Sequence, residues 1–232
     1  MRMALIGYGK MGRLVEAVAS REGWEVGPRL DIADIGDGAV TAAALAGADV
    51  AVEFTQPDSV LQNIEIAAQA GINLVVGTTG WTEHRGRVEN LVRQSGIGLV
   101  YAANFSVGVN LFFEIVRHAS EVVGRIPQYD PYLAEEHHSA KKDAPSGTAV
   151  DLIEIMRPYL DGRIPGIACT RAGKIPGTHI VGFDSEADTI ILEHRARSRA
   201  GLAEGAVLAA RWIVGKKGCY DFRNVFRELI GL

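Results

Sequence analysis

Apolar runs and helically spaced apolar positions alternate along the first hundred residues. "RMALIGYG" is a short apolar run ending at glycine, which predicts a buried strand. Leu14, Val15, Val18 and Ala19 then recur at helical spacing. "WEVGPRLDI" predicts a second strand, Ala42 to Ala48 a short helix or turn, and "DVAVEFT" a third strand. Asp58 is placed to cap a helix running to about Gln69. "GINLVVGTTG" predicts a strand ending in a Gly/Thr loop, Glu83 to Gln94 a helix, and "IGLVYAANF" a further strand. Strands with continuous apolar cores alternating with helices predict an α/β domain with a doubly wound parallel sheet covered on both faces.

After Phe105 the pattern changes. "SVGVNLFFEIVRHASEVVGRI" predicts one long helix capped by Ser106. "QYDPYLAEEHH" predicts a strand, and Pro131 within it predicts an edge position. Ser146 to Leu160 has helical spacing with Ser146 at the N-cap. Gly166–Arg171, Thr178–Phe183 and Asp188–Arg197 follow as strand-like runs, then a helix from Leu202 to Val214. The last residues show no period. The second part is therefore an α+β domain with a mostly antiparallel sheet.

Composition narrows the class. At 232 residues, 47% hydrophobic and 22% charged, the chain reads as an ordinary soluble globular protein. A net charge of −4 argues against a duplex-binding surface. Cys169 and Cys219 are far apart, which predicts packed thiols in a reduced, cytoplasmic setting. The N-terminal apolar run is too short for a signal peptide or a membrane span.

"GYGKMG" places Gly7, Gly9 and Gly12 in GxGxxG spacing at the first strand–helix junction, where helix N-terminal amides face a pyrophosphate. Asp31 ends the second strand nineteen residues after Gly12 and suits the adenosine ribose hydroxyls. Its carboxylate favours NADH over NADPH; Asp34 and Asp37 are alternative acids. Phe54 and the Gly77, Thr78, Thr79 loop end the next strands on the same side.

"EEHHSAKKDAPSGTA" holds two histidines, two lysines and three carboxylates between Glu135 and Asp143. On a strand His137 and His138 point to opposite faces. A zinc site lacks clustered further ligands. Pro145 and Ser146 instead lead into a helix whose first amides, at Gly147 and Thr148, face outward at the positive dipole end. With Lys141 alongside and Arg199 in "RSR", this is an anion site, and a small dicarboxylate is the implied substrate. A histidine beside it can donate or accept a proton near neutral pH.

This stretch resembles the signature of the dihydrodipicolinate reductase family, the 4-hydroxy-tetrahydrodipicolinate reductases of lysine and diaminopimelate biosynthesis. "GYGKMGR", "EFTQP", "VVGTTGW" and "AANFSVGVN" resemble its cofactor and hinge segments in the same order. The resemblance implies a Rossmann-like dinucleotide domain, 1–105 with 207–232, and a substrate-binding and tetramerisation domain, 106–206, with hinges near Asn104–Ser106 and Gly205. Tyr8, Lys10, Met11, Ala102, Ala103, Asn104 and Phe105 then join Gly7, Gly9, Gly12, Asp31, Phe54 and Gly77–Thr79 around NADH or NADPH. His137 becomes the acid/base and Lys141 the proton donor. His138, Ser146, Gly147 and Thr148 hold the substrate carboxylates with help from Arg199, and no metal is required. Between "KIPGTH" and "EHRARSR" the chain is shorter than longer family members, as if one hairpin were missing. A related dehydrogenase, such as an aspartate or homoserine dehydrogenase, would not need the long His–Lys signature. A dinucleotide-sensing module would need neither His137 nor Lys141.

Overall fold

In chain order the elements are β1 (Arg2–Ile6), α1 (Lys10–Arg21), β2 (Glu25–Leu30), β3 (Val50–Glu53), α2 (Pro57–Ala70), β4 (Asn73–Val76), α3 (Arg85–Ser95) and β5 (Gly98–Tyr101). There follow α4 (Val107–Val123), β6 (Asp130–His137), α5 (Gly147–Met156), β7 (Gly166–Arg171), β8 (Thr178–Asp184), β9 (Thr189–Arg195), α6 (Ala200–Ile213), β10 (Gly218–Asp221) and α7 (Phe222–Leu229). The computed structural model describes residues 1–31 and 40–232. Asp34 and Asp37 lie outside the described residues. Two compact units result: Met1–Val107 with Ala200–Leu232, and Gly108–Arg199.

The first unit carries a six-stranded parallel sheet in the order β10-β5-β4-β3-β1-β2. Its inner strands β1, β3, β4 and β5 are almost wholly buried because helices cover both faces. Val15 and Val18 of α1 pack with Ala206 and Val207 of α6 and with Val225 and Phe226 of α7 on one face. Val60 and Ile64 of α2 pack with Val88 and Val92 of α3 on the other. This is the Rossmann-like, doubly wound arrangement.

Three local expectations are corrected. Asp58 is not the cap of α2: Gln56 occupies that position and Pro57 follows it. Proline suits the first helical position because its missing N–H has no partner there in any case. Asp58 lies in the first turn, where the dipole favours its charge. The unpatterned C-terminal stretch holds β10, which pairs with β5, and α7, capped by Asp221 accepting the Arg223 N–H at 2.8 Å. Four and eight residues are too few to display a period.

The second unit has a mixed sheet in the order β7-β6-β8-β9; β6 runs parallel to β7, and the other two pairings are antiparallel. Pro131 therefore sits in an interior strand, not at an edge. β7 joins β6 only from Tyr132 onward, so the missing proline N–H costs that ladder nothing. One face is packed: Val109, Phe112, Phe113 and Val116 of α4 and Leu152 and Met156 of α5 meet Leu133, Val181 and Phe183. Along β6 the inward positions are Pro131, Leu133, Glu135 and His137. Strand alternation thus carries two ionisable side chains into the buried end of an apolar face.

Candidate active site

The strand order of the first unit reverses at β1, with β2 on one side and β3 on the other. Open α/β sheets bind ligands beyond the carboxyl ends of strands at such a point. A crevice of about 900 Å³ lies there, walled by Gly7, Gly9, Lys10, Met11, Asp31, Phe54, Gly77, Thr78 and Thr79 among others. Gly7 has φ +89°, and a Cβ on it would stand 2.2 Å from the Phe54 carbonyl oxygen; one on Gly12 would stand 2.2 Å from the Gly7 oxygen. Gly9, by contrast, has nothing within 4 Å of such an atom. The first and third glycines close the loop, and the second leaves its backbone open. Gly9 also begins α1 without any side-chain cap, so the first-turn amides are left for an anion. These features fit a dinucleotide pyrophosphate.

Beside the glycine loop, Arg29 is committed to Glu16, its Nε donating at 2.9 Å, and Tyr8 donates its hydroxyl to the same carboxylate. Tyr8, Gly12 and Ala102–Phe105 are not in the crevice wall. Phe105 is buried, its ring 6.3 Å from that of Phe54 and 4.8 Å from that of Phe222. Asn104 accepts the Ser106 N–H at 2.9 Å. The sequence reading missed Glu53, which ends β3 fully buried. It accepts the Thr55 N–H at 3.1 Å and the Asn63 amide at 3.2 Å. Burial pushes its carboxyl up, against the hydrogen bonds from Thr55, Thr78 and Asn63.

In the second unit, Glu135 is 1% exposed. Its Oε1 accepts the Ser146 N–H at 3.0 Å and Nη2 of Arg171 at 2.5 Å. Its Oε2 faces His137 Nδ1 at 3.7 Å and His179 Nε2 at 3.6 Å. The two imidazoles meet edge to face, centroids 5.1 Å apart. Ser146 caps α5, its Oγ accepting the Ala149 N–H at 3.2 Å while lying 3.2 Å from His179 Nε2. Arg171 also donates to the Asp143 carbonyl at 2.6 Å, and Lys141 Nζ pairs with Asp143 Oδ1 at 2.8 Å. A salt-bridged arginine thus ties strand, loop and helix start together.

The same contacts set the charges. Burial opposes ionisation of Glu135, but the Ser146 and Arg171 hydrogen bonds outweigh it and bring the carboxyl down to about 2. Burial lowers His137, with Glu135 pulling it up and Lys141 and Arg171 pushing it down. Burial, then repulsion from His137, brings His179 down to about 4. At neutral pH the cluster is one carboxylate and two neutral imidazoles. Gly147 and Thr148 occupy the first turn of α5, and His138 is half-buried just past β6. Arg199 is exposed and ends the unit. The cluster joins Lys141, His137 and Ser146 as the sequence suggests. Arg171 and His179 come from β7 and β8, and no local spacing announces them.

The comparisons decide the family. The family described as "Dihydrodipicolinate reductase, N-terminus" matches residues 1–105, and "Dihydrodipicolinate reductase, C-terminus" matches residues 108–226. The chain belongs to the dihydrodipicolinate reductase family. It is 33% identical over 245 residues to the 4-hydroxy-tetrahydrodipicolinate reductase of Christiangramia forsetii, covering 99% of each chain. It is 36% identical over 255 residues to that of Archaeoglobus fulgidus, covering 95% of this chain and 97% of the relative. The dipicolinate-bound dihydrodipicolinate reductase from Paenisporosarcina sp. TG-14 shares the fold, with a TM-score of 0.78 at 23% identity over 97% and 99% of the two chains. Among the dihydrodipicolinate reductase signature residues of this chain, Glu135 is the most buried carboxylate and the one that the others pack around.

Acidification tests this charge arrangement. Free imidazoles titrate near 6.5 and free glutamate near 4.3. Below about pH 6.5 the unfolded chain takes protons that buried His179 refuses, so stability falls as pH drops toward about 4. The contribution of Glu135 is complete above its unfolded range and is lost as pH falls toward about 2. The urea midpoint of the protein is therefore expected to decline from pH 7 to 4 and further below it. His179→Asn should flatten the upper part and Glu135→Gln the lower. A midpoint constant from pH 7 to 4 would contradict these charge states.

Proposed function

We infer that the protein is a nicotinamide-dependent 4-hydroxy-tetrahydrodipicolinate reductase of lysine and diaminopimelate biosynthesis, the activity for which its full-length relatives are named. One observation carries the chemistry: a capped helix N-terminus at Ser146 follows directly on His137 and Lys141 in a single folded cluster. The first-turn amides at Gly147 and Thr148, with His138 and the Lys141 charge, suit the two carboxylates of the substrate. Dipicolinate, held by the Paenisporosarcina relative, is a dicarboxylate of the same class. Arg199 is assigned a supporting role at the same anion.

Nicotinamide bound at the first unit supplies hydride. The residues of this chain do the rest. The glycine loop and α1 hold the pyrophosphate, and Asp31 takes the ribose hydroxyls. The substrate loses water to give a conjugated imine, hydride adds at C4, and the resulting enamine takes a proton at C3 from Lys141 or His137. Asp143 holds the Lys141 ammonium in place. Glu135 faces Nδ1 of His137, which favours the tautomer with its proton there and leaves Nε2 to exchange protons. NADH is favoured over NADPH, because the Asp31 carboxylate repels a 2′-phosphate and Arg29 is already engaged by Glu16.

The protein is further proposed to be a cytoplasmic homotetramer built through the open face of the second unit's sheet. There, Ile191 is 56% exposed and nearly all of β7 is exposed. No helix among the described residues is long and apolar enough to cross a membrane. A monomer mass in light scattering would remove the tetramer.

The direct test follows reduced-nicotinamide absorbance, with substrate generated in place from pyruvate and aspartate semialdehyde by a separate synthase. Rapid protein-dependent decay is expected, faster with NADH than with NADPH. Lys141→Ala and His137→Gln should each lower turnover by about 10²–10⁴-fold with NADH affinity unchanged. No decay despite cofactor binding would discard the substrate assignment, and full turnover in both variants would discard these roles.

A further inference from the structure

Five buried side-chain polar atoms of the second unit have no hydrogen-bond partner among the described residues, and two of them, Oε2 of Glu135 and Nδ1 of His137, face each other. Buried polar atoms are nearly always paired, so the exceptions call for a reason. Nε2 of His179 borders the same space, and its one other polar neighbour there among the described residues is Ser146 Oγ at 3.2 Å. Oε2 lies 3.7 Å from His137 Nδ1 and 3.6 Å from His179 Nε2. All three donors lie within 4.8 Å of one another. Zinc bound at about 2.0–2.2 Å holds its tetrahedral nitrogen and oxygen ligands about 3.3–3.6 Å apart. Two of the three spacings are already close to that value, and small turns of the imidazoles bring the third in.

Two imidazoles and one carboxylate are a donor set that zinc takes while keeping an open position. The carboxylate is also oriented as a metal ligand is, its other oxygen fixed by Ser146 and Arg171. The sequence reading rejects zinc because only adjacent His137 and His138 cluster locally. The fold replaces His138 with His179, from the neighbouring strand, and adds Glu135.

We propose that Glu135, His137 and His179 form a binding site for a divalent transition-metal cation of the zinc class, and that occupancy shuts off the enzyme by capturing the His137 imidazole. The guanidinium of Arg171 and the ammonium of Lys141 lie nearby and oppose a cation. The metal is therefore an exchangeable inhibitor and not a resident cofactor. The shut-off rests on the reductase assignment; the binding does not.

The test uses the full chain stripped of metal by a chelator. Calorimetric titration with zinc chloride is expected to give one site per chain, and cobalt(II) to give visible bands of a low-coordinate nitrogen and oxygen site. Affinity for zinc should drop at least about tenfold in His179→Ala and in Glu135→Gln. His118→Ala, an exposed position on α4, should bind as the unsubstituted protein does. If His179→Ala fails to fold, His137→Gln supplies the same contrast. Absence of binding, or binding unchanged in the folded variants, overturns the site. Zinc should also suppress NADH oxidation, with recovery on adding chelator. Site-specific binding that leaves turnover intact overturns the shut-off alone.

Discussion

A single buried carboxylate organises the second unit. Removing Glu135 from water is costly unless its charge is paired and hydrogen-bonded. The structure meets that requirement with an arginine from β7 and a backbone amide at the start of α5. The consequence reaches beyond charge balance. Because the amide belongs to Ser146, satisfying Glu135 fixes where α5 begins, and because Arg171 also holds the Asp143 carbonyl, it fixes the loop that carries Lys141. The carboxylate also faces His137. The His137 imidazole, the Lys141 ammonium and the start of α5 are thereby placed by one electrostatic demand.

Each unit starts a helix beside its candidate site. In the first, α1 begins beyond β1 without a side-chain cap, and Gly9 leaves its backbone open, an arrangement that suits an anion. In the second, Ser146 caps α5 by accepting the Ala149 N–H, with Gly147 exposed and Thr148 half-buried in the first turn. Each unit also buries a carboxyl, with opposite outcomes. Glu53 is hydrogen-bonded only by neutral groups, and burial raises it. Glu135 has a guanidinium, and it falls to about 2. The difference lies in the partner and not in the depth.

Much of this was legible in the sequence because the decisive signals are local. Apolar strand cores, the GxGxxG spacing and the run from Glu135 to Thr148 each lie within fifteen residues or fewer. They sufficed for the sheet of the first unit, its loop and the family. What escaped depends on pairing at a distance. Pro131 predicts an edge strand until the register shows that β7 begins only beside Tyr132. Asp58 predicts a cap until Pro57 takes the first helical position. β10 and α7 are too short to show a period, and β10 is defined by its pairing with β5. Arg171 and His179 become site residues only because β7 and β8 flank β6. Their own sequence surroundings carry no such mark.

The central claim is that Glu135 shapes the anion site at the start of α5. Calorimetric binding of pyridine-2,6-dicarboxylate to the protein and to folded Glu135→Gln tests it most directly, with NADH binding as the reference. The account predicts dicarboxylate affinity lower by about tenfold, or about 1.4 kcal/mol, in the variant, with NADH affinity unchanged. Equal dicarboxylate affinity in the two proteins would contradict it.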